Sequence, residues 1–165
     1  MKQFSTILVT LLYASGAYGS GPILPEGWRL PNKHELSDRW REGNYKNAYV
    51  IGDFNGDGKN EGAFLAVTKD GKYEGLIAFV YLDKKEKWFV LDRMKTGNTV
   101  FMGLSLYKPG KYMVLCLSGD ECNGKYRKEI VIKNDAFSYY RPGSASSIFV
   151  WNPKTKTFDR VWQSD

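Results

Sequence analysis

Histidine is almost missing from this chain: His34 is the only one. Any Ser–His–Asp or Cys–His reaction centre would therefore have to use it, and it stands in an expected helix start, away from any evident nucleophile. Cysteine is scarce too. Cys116 and Cys122 are the only two, and they lack the further ligands that a zinc site needs. After the N-terminal region no apolar run is long enough for a membrane helix. No Gly-rich phosphate loop precedes a helix. Ser144, Ser146 and Ser147 have no nucleophile-elbow context and read as a turn. Internal repeats and low-complexity tracts are absent, which excludes a solenoid built from copies of one motif.

What is present begins at the N-terminus. Met1-Lys2 supplies positive charge, an apolar run follows from roughly Ile7 to Ala17, and small residues come next. This is the layout of a secretory signal peptide over residues 1–19. Cleavage after Gly19 leaves Ala17 and Gly19 where a signal peptidase reads; a cut nearer Gly16 is the alternative. The run is shorter than the roughly 20 residues a spanning helix requires. The region holds no Cys, which argues against a lipid anchor. A buried N-terminal helix is the plainer alternative. Residues 20–165 then read as a single domain with room for a hydrophobic core, in a periplasmic or secreted protein.

The formal net charge is +6. Lys84, Lys85 and Lys87 form one basic group, and Lys125, Arg127 and Lys128 another. Acids or turns bracket each, so they read as solvated turns rather than a nucleic-acid patch. A mildly basic exported chain would be drawn to anionic lipid or cell-wall polymer. In such a chain Cys116 and Cys122 read as a disulfide, with two reduced thiols as the alternative. The bridge would close a small loop holding Ser118, Gly119 and Asp120. A stapled surface turn is the bland reading of that loop. The sharper one is a preorganised segment that inserts into a partner's cleft.

A short helix is expected near Asn32, with Glu35 three residues on as in a capping box, Leu36 and Trp40 on one face, and Gly43-Asn44 at its end. From Tyr45 the pattern becomes short strands divided by turns. Expected strands are Ala48–Ile51, Ala63–Thr68, Glu74–Leu82, Trp88–Leu91, Val100–Tyr107, Tyr112–Leu117, Glu129–Lys133, Ser147–Trp151 and Phe158–Trp162. The fold class is all-β and predominantly antiparallel, as a sandwich or a propeller-like sheet, with one short N-terminal helix. Tyr139, Tyr140 and Arg141 read as either partner-binding surface or core edge.

One segment carries recognisable chemistry: Asp53-Phe54-Asn55-Gly56-Asp57-Gly58-Lys59-Asn60-Glu61. Oxygen-bearing side chains stand at its first, third and fifth positions, glycine at the sixth and an acid at the ninth. This matches the first nine positions of an EF-hand-type loop. Alternation lets a curled backbone aim Asp53, Asn55 and Asp57 at one calcium ion. Gly58 permits the turn that brings in the Lys59 carbonyl, and Glu61 closes the site directly or through water. The twelfth position is Phe64, not the bidentate Glu, and the flanks read as strands. A strand–loop–strand clip is expected, with calcium in a structural role. A metal-free Asx turn is the alternative.

Val50 through Lys59 resembles the calcium-loop repeats of FG-GAP and VCBS-type extracellular β-proteins. That resemblance implies calcium ligation by Asp53, Asn55, Asp57, the Lys59 backbone and Glu61. Those families more often close with Asp. Trp28-Arg29-Leu30-Pro31, the calcium loop, Lys108-Pro109-Gly110-Lys111-Tyr112, the Cys pair and the ending Ser144-Ala145-Ser146-Ser147…Trp151…Phe158…Val161-Trp162…Asp165 are together similar to a group of small exported bacterial proteins, a resemblance that implies no reaction.

Three functional readings follow. The first is an exported, non-enzymatic binding module with a structural calcium ion, its partner an exported protein or a cell-wall polymer. The second is a periplasmic inhibitor or immunity protein against a lysozyme-like cell-wall hydrolase, by analogy with exported calcium-loop β-folds. The third is a carbohydrate-active hydrolase, whose carboxylates would come from Glu74, Asp92, Asp120 or Glu121. No catalytic residue is assigned.

Overall fold

A computed structural model describes residues 22–38, 48–97, 100–116 and 126–164. The expected signal peptide lies outside the described residues, as do Cys122, Ser118, Gly119, Asp120 and Glu121. The described chain is mostly antiparallel β-sheet. Its first sheet holds β1 (Trp28–Arg29), β2 (Tyr49–Gly52), β3 (Glu61–Thr68), β4 (Tyr73–Leu82) and β5 (Lys85–Lys95). β1 and β2 lie end to end along one side of β3, with β4 on its other side and β5 beyond.

Next come β6 (Gly103–Tyr107), the β7 (Gly110–Leu115)–β8 (Arg127–Ile132) hairpin, β9 (Ala136–Tyr140), β10 (Ser146–Asn152) and β11 (Thr157–Ser164). The second sheet has the order β11-β10-β9-β6, and β7 and β8 form a separate two-stranded sheet.

Strand alternation explains how these sheets meet. Ala63, Leu65 and Val67 of β3, with Leu76, Ala78 and Val80 of β4, turn to one face. There they share one buried cluster with Leu104, Phe137, Tyr139, Phe149, Trp151 and Phe158 from the second sheet. The other face of the second sheet is covered by the hairpin. Val114 and Ile132 bury against Ala136 and Ile148, with Tyr112, Ile130, Val150 and Val161 around them.

The outer face of the first sheet is aromatic. Phe64 stacks near Tyr49 and near Phe79, at ring separations of 6.4 and 6.3 Å, and Phe79 meets Trp88 at 5.0 Å. Gly62 makes this possible. A Cβ there would lie 2.5 Å from Phe64 Cε2 and 2.8 Å from Phe79 Cε1. An apolar groove of about 720 Å³ runs beside these rings, lined by Leu30, Pro31, Leu36, Tyr49, Ile51 and Phe79, among others.

Two expectations change. The short helix is not confirmed. Its expected start is a 3-10 turn, Lys33–Glu35, and Trp40 with Gly43-Asn44 lies outside the described residues. The Asn32–Glu35 relationship does form. Glu35 Oε2 accepts the Asn32 backbone N–H at 2.7 Å, and the carboxylate also takes Arg29 Nη1 and Nη2 at 2.7 Å each. Leu36 then leaves the turn in extended conformation, bridging to Val100. In addition, β9 stands centrally in the second sheet where no strand was expected. Tyr139 is therefore core, at 1% exposure, while Arg141 beyond the strand end is exposed.

Candidate functional site

The Asp53–Glu61 segment joins β2 to β3, so it is a strand–loop–strand unit as its flanks suggest. Its backbone curls around Asp53. Oδ1 of Asp53 accepts the N–H groups of Gly56 and Asp57 at 2.8 and 3.1 Å, and Oδ2 accepts that of Gly58 at 2.9 Å. Asn55 Oδ1 also accepts from Asp57 N–H, at 2.8 Å. Asp53 and Asn55 thus bring side-chain oxygens to the same N–H. Asp57 Oδ1 accepts the Lys59 N–H at 2.9 Å. The curl needs Gly56 and Gly58, both at φ +82, a left-handed conformation that costs a Cβ-bearing residue about 1–2 kcal/mol.

Glu61 lies beneath the loop and is fully buried. Its Oε2 accepts the N–H groups of Phe54 and Asn55 at 3.0 and 3.1 Å, and its Oε1 accepts that of Tyr81 at 2.8 Å. Burial pushes this carboxyl up to about 7, against the three N–H bonds, which favour its charged form. The Tyr81 carbonyl is taken as well, by Asn55 Nδ2 at 2.9 Å. Two loop side chains therefore hold both backbone polar groups of one β4 residue.

The loop is also fastened to the second sheet. Phe54 is fully buried, 5.0 Å from the Phe137 ring and 6.1 Å from the Phe158 ring. Asp53 and Asp135 exchange two hydrogen bonds, and Asn134 Nδ2 donates to the Phe54 carbonyl at 3.4 Å. Lys108 Nζ sits 3.0 Å from Asp135 Oδ2. Asn134 and Asp135 lie 80 and 82 residues along the chain from the loop residues they hold. In the sequence Lys133-Asn134-Asp135 reads only as a turn, and no local pattern ties it to the loop.

The donor set suits a hard cation in part. A carboxylate offers about four lone-pair sites. The bonds above leave capacity on Asp53 Oδ2, Asn55 Oδ1, the Asp57 carboxylate and Glu61 Oε1. All are oxygens, as calcium requires. The Lys59 ammonium pairs with one of these carboxylates, its Nζ lying 3.5 Å from Asp57 Oδ2, and it also stands 5.2 Å from the Tyr81 ring centre. The expected contribution of Lys59 is the backbone carbonyl alone. Among the described residues, no three acidic, histidine or cysteine side chains are already drawn together as metal ligands.

The other candidates are engaged elsewhere. His34 is exposed in the 3-10 turn. Ser147 Oγ accepts Arg160 Nε at 3.0 Å, and Ser146 Oγ donates to Gln163 at 3.3 Å. Ser144 closes a turn with Arg141. Asp92 is ion-paired with Arg160 at 3.0 Å, and Glu74 is buried at 5% exposure. Cys116 follows β7, and its N–H donates to the Tyr126 carbonyl at 2.9 Å, one step beyond the Leu115–Arg127 pair of the β7–β8 hairpin.

No protein-family model, curated protein or solved structure matches this chain.

Proposed function

We propose that this chain is an exported, non-enzymatic binding module whose Asp53–Glu61 loop takes a structural calcium ion. The observation that carries the reading is the shared focus of Asp53 and Asn55 on the Asp57 N–H, with Asp57 beside them on an exposed loop. Asp53, Asn55 and Asp57 would hold the ion with the Lys59 carbonyl, and Glu61 would fix the floor of the loop and add its free lone pair. Calcium would supply charge neutralisation and rigidity, not reaction chemistry. The loop is tied to both large sheets, so an ion there would stabilise their docking as well as the loop. Disulfide pairing of Cys116 with Cys122 belongs to the same proposal.

Calorimetric titration of the mature protein with calcium tests the metal. One ion per chain is expected, with the weak affinity of extracellular modules, on the order of 10⁻⁴–10⁻³ M. Asp53→Ala with Asp57→Ala should remove the binding isotherm; an unchanged isotherm would refute the assignment. Capture from a periplasmic extract, compared with binding to purified cell-wall polymer, tests the binding role. Specific retention of one class supports it, and retention of neither contradicts it.

A further inference from the structure

Glu74 sits opposite Val67 of β3 and Met94 of β5. Alternation along β4 places it on the face that carries Leu76, Ala78 and Val80, toward the space between the two large sheets. It is 5% exposed, and its Oε2 is buried with no hydrogen-bond partner among the described residues. A neutral carboxyl tolerates such a place far better than a carboxylate does, because an unpaired buried charge loses its hydration without compensation.

Among the described residues, the charged and titratable groups around it offer no direct partner. From β5 comes Asp92, one residue pair further along the same face, since Leu76 is its opposite number. Asp92 is a like charge, and it is already bound to Arg160 Nη1 at 3.0 Å. Arg160, from β11, is further committed to Ser147 Oγ, and its guanidinium lies 4.2 Å from the Trp162 ring centre. Across the core stands Tyr139 of β9, whose phenol is pushed up by burial first and then by the charges of Asp92 and Glu74. Among the described residues, Arg141, just past β9, is the cation that favours an ionised Glu74. It is exposed, and it makes no hydrogen bond or ion pair with Glu74.

We infer that Glu74 is a pH-sensitive latch between the two sheets: protonated, it lets β4 close on β9, and ionised, it loosens their contact at the Tyr139–Arg141 end. Burial moves its carboxyl from the usual 4.5 to about 7, with Arg141 opposing. The folded chain thus holds this proton more tightly than the unfolded chain. The stabilisation is complete below about 4.5, is lost as pH rises toward about 7, and stays lost above it.

The test is denaturant unfolding of the wild type, Glu74→Gln and Glu74→Leu at intervals from pH 5 to pH 8. The wild type should lose at least about tenfold in folding equilibrium constant relative to either variant across that window, the effect of one pKa unit. Parallel profiles would overturn the latch. Should both variants fail to fold, carbon-detected titration of the wild-type Glu74 carboxyl decides alone. A midpoint near neutrality supports the latch, and one near 4.5 overturns it. Exchange protection of β9 amides, corrected for intrinsic rates, should fall over the same range if the latch loosens the contact. Constant protection would overturn it.

Discussion

The backbone N–H of Asp53 donates to Asp135 Oδ2 at 3.2 Å, and the N–H of Asp135 donates back to the Asp53 carbonyl at 3.1 Å. This reciprocal pair joins the start of the loop to the turn between β8 and β9. It makes the loop a joint between sheets as well as a connection between strands. Asp135 also receives Lys108, so one carboxylate serves two donors. Asp135→Ala should therefore destabilise the fold by about 1–2 kcal/mol, because it takes a charged acceptor away from the half-buried Asp53 N–H. Urea unfolding measures this, and a loss within error of zero would mean that the joint carries no weight.

Glu61 makes a second prediction. Its two oxygens accept three backbone N–H groups at full burial. Gln at this position keeps one acceptor and turns an NH₂ toward N–H donors. Glu61→Gln should cost about 1–3 kcal/mol even without calcium, since a carboxylate-to-amide change leaves donors unmet. Unfolding in chelator isolates this effect from any metal. An unchanged midpoint there would show that the buried carboxyl is not the loop's clasp.

A third concerns the outer face of the first sheet. Any side chain at Gly62 meets the rings of Phe64 and Phe79. Gly62→Ala should cost about 1–3 kcal/mol through overpacking and should alter the near-ultraviolet circular dichroism of the aromatic row. Unaltered spectra and stability would place those rings elsewhere.

The turn between β4 and β5 makes a fourth. Asp83 and Lys84 hold φ of 51 and 65, and Leu82 pairs with Lys85, which is a two-residue hairpin of the type that favours Asn-Gly. Lys84→Gly should raise stability by about 1 kcal/mol by relieving left-handed strain. A lower midpoint would contradict this turn.

The loop was legible because its chemistry is local: oxygens, glycines and flanking strands lie within nine consecutive residues. Most strands were legible for the same reason, since alternation and turn residues are short-range signals. β9 was not. It is five residues, Ala-Phe-Ser-Tyr-Tyr, and its central place depends on pairing with β6 and β10. β5 extends well past the expected Trp88–Leu91; its charged ends hid it from a reading by apolar alternation, and such charge suits a strand that stands at the sheet's edge among the described residues. Asp135, Asn134 and Tyr81 were invisible as loop partners, for their contacts cross many residues of chain. The same is true of Phe54, which the motif treats as a spacer and the fold uses as a plug between Phe137 and Phe158.

The central claim is that the Asp53–Glu61 loop holds a structural calcium ion, and thermal unfolding of the mature protein in chelator and in about 10 mM calcium tests it most directly. Ligand linkage at a dissociation constant of about 10⁻⁴–10⁻³ M gives roughly 1.4–2.7 kcal/mol. For a domain of this size that is a rise of roughly 3–10 °C. The rise should be specific to calcium over the same concentration of magnesium, and absent in Asp53→Ala with Asp57→Ala. A wild-type midpoint that is identical in chelator and in calcium would contradict the account and leave the loop as a metal-free Asx turn.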